Sequence, residues 1–396
     1  MYIFLTLRQY KYTTYISLEA VKMFATSFFF ILTIISKTCI IIASSTDTSS
    51  PKFPAILIFG DSTVDTGNNN YIKTLFKGNY YPYGKDFPGH VPTGRFSNGK
   101  LVPDFIASTL KIKDIVPPFL KPNLSDEELL TGVSFASAGS GYDDLTTVAS
   151  GVIPVSKQIE YFKKYIERIQ GIVGEKEAKN IVKRALVLIS AGTNDLVINF
   201  YDTPTRRLEF DINGYQDFLQ KNLKKYIEEL YELGCRKISV SGLPPIGCLP
   251  IQMTVKFENP LDRKCLEDEN LGSQTYNYKL SKLLALLQVL LPGSKLVYAD
   301  IYDPLIDMIK HPQKYGFVET KRGCCGTGLV EAGPFCNSLT PPCNDASQYV
   351  FWDTVHPSEA AYQFLSIYLE KEVLPKLLYN NQSHSLIHSI GKMNAH

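Results

Sequence analysis

The sequence predicts an α/β domain built on a parallel sheet. Three observations carry that prediction. Short strand-like runs recur at 55–59, 133–136, 185–190, 237–241 and 295–299. Helical patterns fill the intervals, and strands alternating with helices wind into parallel sheets. The first run stops abruptly at Gly60-Asp61-Ser62. That sets a hydroxyl at the carboxyl end of a strand, where open α/β sheets place their ligand sites.

The elements follow in order. Residues 1–43 read as a leader outside the domain. Met23 opens an apolar segment that Lys37 interrupts; a second apolar run ends at small Ala43-Ser44-Ser45. This is the pattern of a secretory signal peptide cleaved near Ala43. The rival reading is a retained signal anchor, for which the apolar stretch is short. The polar, Tyr-rich residues 1–22 make Met23 an alternative start. A single domain is expected over 53–378, with 379–396 as a polar tail. The run 55–59 has no polar residue, as in a strand buried on both faces. Helices are expected over 100–110, 157–170, 214–233, 270–291 and 358–378. Gly234 supplies a stop for the third of these.

Composition narrows the function classes. The chain has 396 residues, 44% hydrophobic, with a net charge of +2. Arg8, Lys11, Lys22, Lys37 and Glu19 all lie in the leader, so the net charge without it is −1. No basic stretch interleaved with aromatics points to nucleic acid. Seven of the eight cysteines lie beyond the leader. In an exported chain they read as a disulfide framework with one left over. Cys248 pairs locally with Cys265. Cys324 and Cys325 partner Cys336 and Cys343 in either order. Cys235 follows Gly234 at the end of an apolar helix and is the odd one. Zinc is the rival reading, but vicinal Cys324-Cys325 lacks the usual CxxC spacing. No metal or cofactor is expected. Sequons at Asn123 and Asn381 fit an exported chain.

A serine hydroxyl needs a base before it is a good nucleophile. Of the six histidines, His384, His388 and His396 lie in the tail, His90 in a Gly/Pro-rich loop and His311 before a proline. His356 stands in Trp352-Asp-Thr-Val-His-Pro357, three residues after Asp353. At that spacing one turn brings the Asp353 carboxylate to Nδ1 and leaves Nε2 for Ser62. Acyl transfer also needs donors for an oxyanion. Ala136-Ser-Ala-Gly-Ser-Gly141 offers bare N–H groups, and Ala191-Gly-Thr-Asn-Asp195 offers the Asn194 amide. Both follow strands. Ser134, in Gly132-Val-Ser-Phe-Ala136, is the rival nucleophile. It is a near miss to Gly-x-Ser-x-Gly and reads as structural, because the second glycine is absent.

These segments together resemble the four blocks of the GDSL esterase/lipase family, the SGNH hydrolases, in its plant secreted branch. Phe59-Gly-Asp-Ser-Thr-Val-Asp-Thr-Gly-Asn-Asn69 is similar to the nucleophile block. Gly132-Val-Ser-Phe-Ala-Ser-Ala-Gly139 is similar to the glycine block. Gly192-Thr-Asn-Asp195 and Asp353-Thr-Val-His356 are similar to the remaining two. Gly94-Arg-Phe-Ser-Asn-Gly99, Gly242-Leu-Pro-Pro-Ile-Gly-Cys248 and Cys324-Cys-Gly326 are plant-type additions. The resemblance covers residues 53–378. It implies a three-layer α/β/α, flavodoxin-like sandwich around a central parallel sheet. It also implies Ser62 as nucleophile, His356 as base and Asp353 as its orienting acid. Ser62 N–H, Gly139 N–H and the Asn194 side chain would form the oxyanion hole. Three departures stand out: Thr63 for Leu, Ser134 where Asn is frequent, and Cys235 where Ala is usual. The second leaves Gly141 as an alternative donor to Gly139.

The expected activity is therefore hydrolysis of a small or lipid-like carboxylic ester by a secreted, extracellular, monomeric serine esterase. Acyl transfer to an alcohol uses the same residues, and a non-catalytic binding protein is the reading from another class. Tyr80-Tyr-Pro-Tyr83 and Phe96 are expected to pack a loop over the sheet edge.

Overall fold

A computed structural model describes residues 52–378, apart from 149, 256–261, 327 and 329–335. Residues 1–51, where a leader and its cleavage site are expected, and 379–396, with Asn381, lie outside the described residues. Four strands, β1 (Ile56–Gly60), β2 (Leu186–Ser190), β3 (Lys237–Ser241) and β4 (Lys295–Ala299), pair in that order. All pairings are parallel, with Ile56 beside Leu186, Leu186 beside Lys237 and Lys237 beside Lys295. Each strand is rich in β-branched and aliphatic residues, which suits a pleated surface covered on both faces.

Helices cover both faces. In one layer α2 (Val155–Val173), α4 (Ile212–Glu232) and α5 (Glu267–Leu290) pack side by side, with α3 (Glu175–Arg184) against α2. In the other, α1 (Val102–Thr109) and α6 (Tyr302–Lys310) pack on α7 (Glu359–Glu372), and α8 (Leu374–Leu378) follows. This is the expected three-layer α/β/α arrangement. Helix α2 buries Ile159, Phe162, Tyr165 and Ile169, spaced at three to four residues along one face. Its rings meet Phe59 of β1 and Phe135, with centroids 5.4 to 5.6 Å apart. Among the described residues no helix is long and apolar enough to cross a membrane.

Three elements depart from expectation. The run 133–136 pairs in parallel with β1, Ile58 N–H donating to Val133 O and Phe135 N–H to Ile58 O, but it forms only an isolated bridge at Ser134, which also bridges to Pro118. Its outer carbonyls are taken instead by the Asn68 side chain and the Phe119 N–H. The helix expected over 358–378 breaks into α7 and α8, because Pro375 lacks an N–H and crowds the preceding turn. A second sheet pairs β5 (Glu319–Gly323) with β6 (Tyr349–Phe351). Its β5 sequence, Glu-Thr-Lys-Arg-Gly, carries no apolar signal for a strand.

The cysteine pairing resolves to Cys248–Cys265, Cys324–Cys343 and Cys325–Cys336, with Cys235 free and buried. Burial pushes the Cys235 thiol up to about 12, so it stays protonated and inert. The two nested bridges form a small core with Tyr83, Phe96 and Trp352 beside β6.

Candidate active site

Strand β1 enters its terminal turn through Gly60 at φ 136°, where a Cβ would lie 1.8 Å from the Ser190 carbonyl oxygen. Only glycine fits. The Gln158 side chain grips this residue from α2: Gly60 N–H donates to Oε1 and Nε2 donates to Gly60 O, both at 2.8 Å. Next, Asp61 Oδ1 accepts the Thr63 N–H and hydroxyl at 3.0 and 2.7 Å. Burial pushes the Asp61 carboxyl up to about 6, against the pull of these donors and of His356. Ser62 sits between Asp61 and Thr63 in a turn held on all sides.

The second turn follows β6. Asp353 Oδ1 accepts the Val355 and His356 N–H groups at 2.9 and 2.8 Å, a side-chain-closed turn. The His356 ring lies 2.9 and 2.8 Å from the two Asp353 oxygens through Nδ1. Its Nε2 lies 2.7 Å from Ser62 Oγ, across 294 residues of sequence. With a carboxylate as partner Nδ1 carries the proton, so the Ser62 hydroxyl donates to Nε2. Burial pushes Asp353 up, but the His356 charge and these donors outweigh it and hold the carboxyl below its usual range. Ser62 and His356 are only 7% and 9% exposed, so they meet solvent through a narrow opening.

The loop that presents Gly139 is tethered by the segment after Ser62. Asp65 accepts the N–H groups of Gly67, Asn68 and Ala138. Asn68 Nδ2 donates to Ser134 O and Ala136 O, and Asn69 Nδ2 to Ala138 O. Asn194 Nδ2 donates to Ser140 O at 2.9 Å, which joins its loop to the same segment. Asp195 accepts the Tyr142 and Asp143 N–H groups and the Thr146 hydroxyl. Among the described residues, no acceptor takes the main-chain N–H of Ser62 or Gly139. Gly141 backs onto Asp195, where a Cβ would meet Oδ1 at 2.1 Å.

Ser62, Asp353 and His356 converge, with the Gly139 and Asn194 loops joined to each other beside β1. Ser134 does not join them: it is fully buried and its hydroxyl donates to Val64 O. The loop around Tyr83 and Phe96 does more than cover the sheet edge. Tyr83 donates to Asp353 Oδ2 at 2.8 Å, and the Phe96 ring lies 5.0 Å from the imidazole. Gln158 was equally unforeseen, although a polar residue on the apolar face of α2 was a signal that could have found it. A larger polar groove of about 540 Å³, lined by Lys85, Asn98 and Glu359 among others, includes none of the three converging residues.

A serine hydroxyl aligned on an imidazole, itself fixed by a carboxylate, is the geometry that lets the hydroxyl lose its proton as it attacks a carbonyl. The GDSL-like Lipase/Acylhydrolase family model matches residues 56–369. A GDSL esterase/lipase of Arabidopsis thaliana is 58% identical over 328 residues, covering 82% of this chain and 91% of the relative. A second from that plant is 56% identical over 333 residues, covering 84% and 92%. An acetylxylan esterase from Geobacillus stearothermophilus, solved as a catalytic mutant, aligns with 83% of this chain and 95% of its own. That alignment has a TM-score of 0.36 and 14% identity. By the family model and these relatives, the chain belongs to the GDSL-like lipase/acylhydrolase family.

Proposed function

We propose that the chain hydrolyses carboxylic esters through an acyl-enzyme on Ser62. The observation that carries this reading is the continuous Ser62–His356–Asp353 contact chain. Ser62 Oγ attacks the ester carbonyl as its proton passes to His356 Nε2. Ser62 N–H, Gly139 N–H and the second N–H of Asn194 Nδ2 stabilise the oxyanion. His356 then hands the proton to the departing alcohol oxygen as the ester C–O bond breaks. Water repeats the sequence and frees the acid. Asp353 holds the ring and stabilises its charged form.

The family supports a carboxylic ester hydrolase acting on small ester substrates. Export to an oxidising, extracellular compartment is supported by three disulfides in a domain with one inert thiol. The reading takes the domain as a monomer, since the site is built from one chain.

Ser62→Ala tests the assignment on a short-chain chromogenic ester. The expected loss is about 10⁴-fold or more in kcat, with the melting temperature unchanged. Turnover persisting in folded Ser62→Ala would overturn the mechanism.

A further inference from the structure

Behind the Ser62 turn lies a cavity that the chemistry above does not use. It holds about 80 Å³ between the carboxyl ends of β2 to β4 and helix α7. The sequence builds it. Apart from Leu188 on β2, the strand positions lining it carry small side chains: Ser190 on β2, Ser239 and Ser241 on β3, Ala299 on β4. Facing them, α7 offers Tyr362, Leu365 and Leu369 at helical spacing. Bulky aliphatics at the sheet positions would have closed the gap, as they do elsewhere in the core.

The cavity is lined by the chain neighbours of the reacting groups rather than by those groups themselves. Thr63 follows Ser62, Thr193 precedes Asn194, and Val355 and Pro357 flank His356; all four line it.

We propose that this cavity is the acyl pocket, taking a short, unbranched chain of about four carbons, the length that a space of a few water volumes admits. The choice of acyl over alcohol rests on the acyl-enzyme reading above. The alcohol departs and water enters between the two half-reactions, so both need an open path. The acyl group stays on Ser62 through both, and an enclosed apolar cavity suits the group that stays.

The experiment measures kcat/KM for 4-nitrophenyl acetate, butyrate, hexanoate and octanoate with the full chain and two variants. Ser241→Leu fills the cavity and Leu365→Ala enlarges it. Ser241→Val replaces the first variant if its melting curve shows it unfolded. One methylene in an apolar pocket is worth about tenfold or more in specificity. Filling is therefore expected to cut the butyrate-to-acetate ratio about tenfold or more. Enlarging is expected to move the optimum to hexanoate or octanoate. Chain-length profiles that stay parallel in both folded variants would overturn the pocket. Ser62→Ala runs alongside: if it remains active the mechanism fails, whereas loss there with parallel profiles sinks only the pocket.

Discussion

Tyr83→Phe removes one oxygen from the protein and leaves the ring that packs against Phe96 and Trp352 in place. That oxygen donates to Asp353 Oδ2 at 2.8 Å, with Tyr83 1% and Asp353 3% exposed. A buried hydrogen bond to a charged group contributes about 1.5–3 kcal/mol. After its loss Oδ2 keeps only His356 Nδ1, while Oδ1 keeps two N–H groups and the ring. The carboxylate is then free to swing about its Oδ1 anchor, and the imidazole with it. The expected stability loss at pH 7 lowers the melting temperature by about 2–4 °C for a domain of this size. A misalignment costing about 1.4 kcal/mol at the transition state lowers kcat about tenfold, with KM little changed. The pH dependence separates this cause from a simple packing defect. The Asp353 pKa is held down in the fold. Its stability contribution is therefore present above the unfolded value, about 3.9, and is lost as pH falls through the folded value. The gap between wild type and Tyr83→Phe should be full at pH 7 and shrink below about pH 4. Melting curves at pH 7 and 3, with kcat and KM on one ester, measure all of this. An unchanged kcat, or a stability gap equal at both pH values, would refute the reasoning.

Asn194→Ala should lower kcat about 10²-fold or more with KM little changed, as loss of one oxyanion donor does; steady-state kinetics on a short-chain ester check it. A separate outcome concerns Asp61, Asp65 and Asp195, which burial pushes up to about 6, 6 and 7. Carboxyls whose folded pKa is raised take up protons on folding. They favour the fold at low pH and lose that contribution as pH climbs from about 4 through 7. Melting temperatures across that range should fall with rising pH, and a steady rise would show that their N–H donors dominate over burial.

Much of this architecture was legible because its signals are local. The strands at 237–241 and 295–299 emerge with the expected bounds, since short segments carrying Ile, Val, Leu and Tyr and closed by turn residues read as strands. Asp353 and His356 were readable as a pair because one turn spans them. The Gly60 turn was readable as a strand end, although the reason for glycine there lies in Ser190, on the neighbouring strand. The break at Pro375 was legible in principle, and periodicity hid it.

By itself the sequence determined a parallel α/β domain, the Ser62, Asp353 and His356 set, and, among the seven cysteines beyond residue 43, Cys235 as the odd one. Those features depend on residue type, short spacing and block order. Only the tertiary structure decided which of Cys336 and Cys343 meets Cys324, because both lie within reach in sequence and the β5–β6 pairing selects between them. It alone revealed that Gln158 grips Gly60, that Tyr83 bonds Asp353 across 270 residues, and that Asp195 leaves no room for a side chain at Gly141. Such contacts join side chains from distant segments. No local pattern encodes them, because their geometry exists only once the sheet has brought its strand ends together.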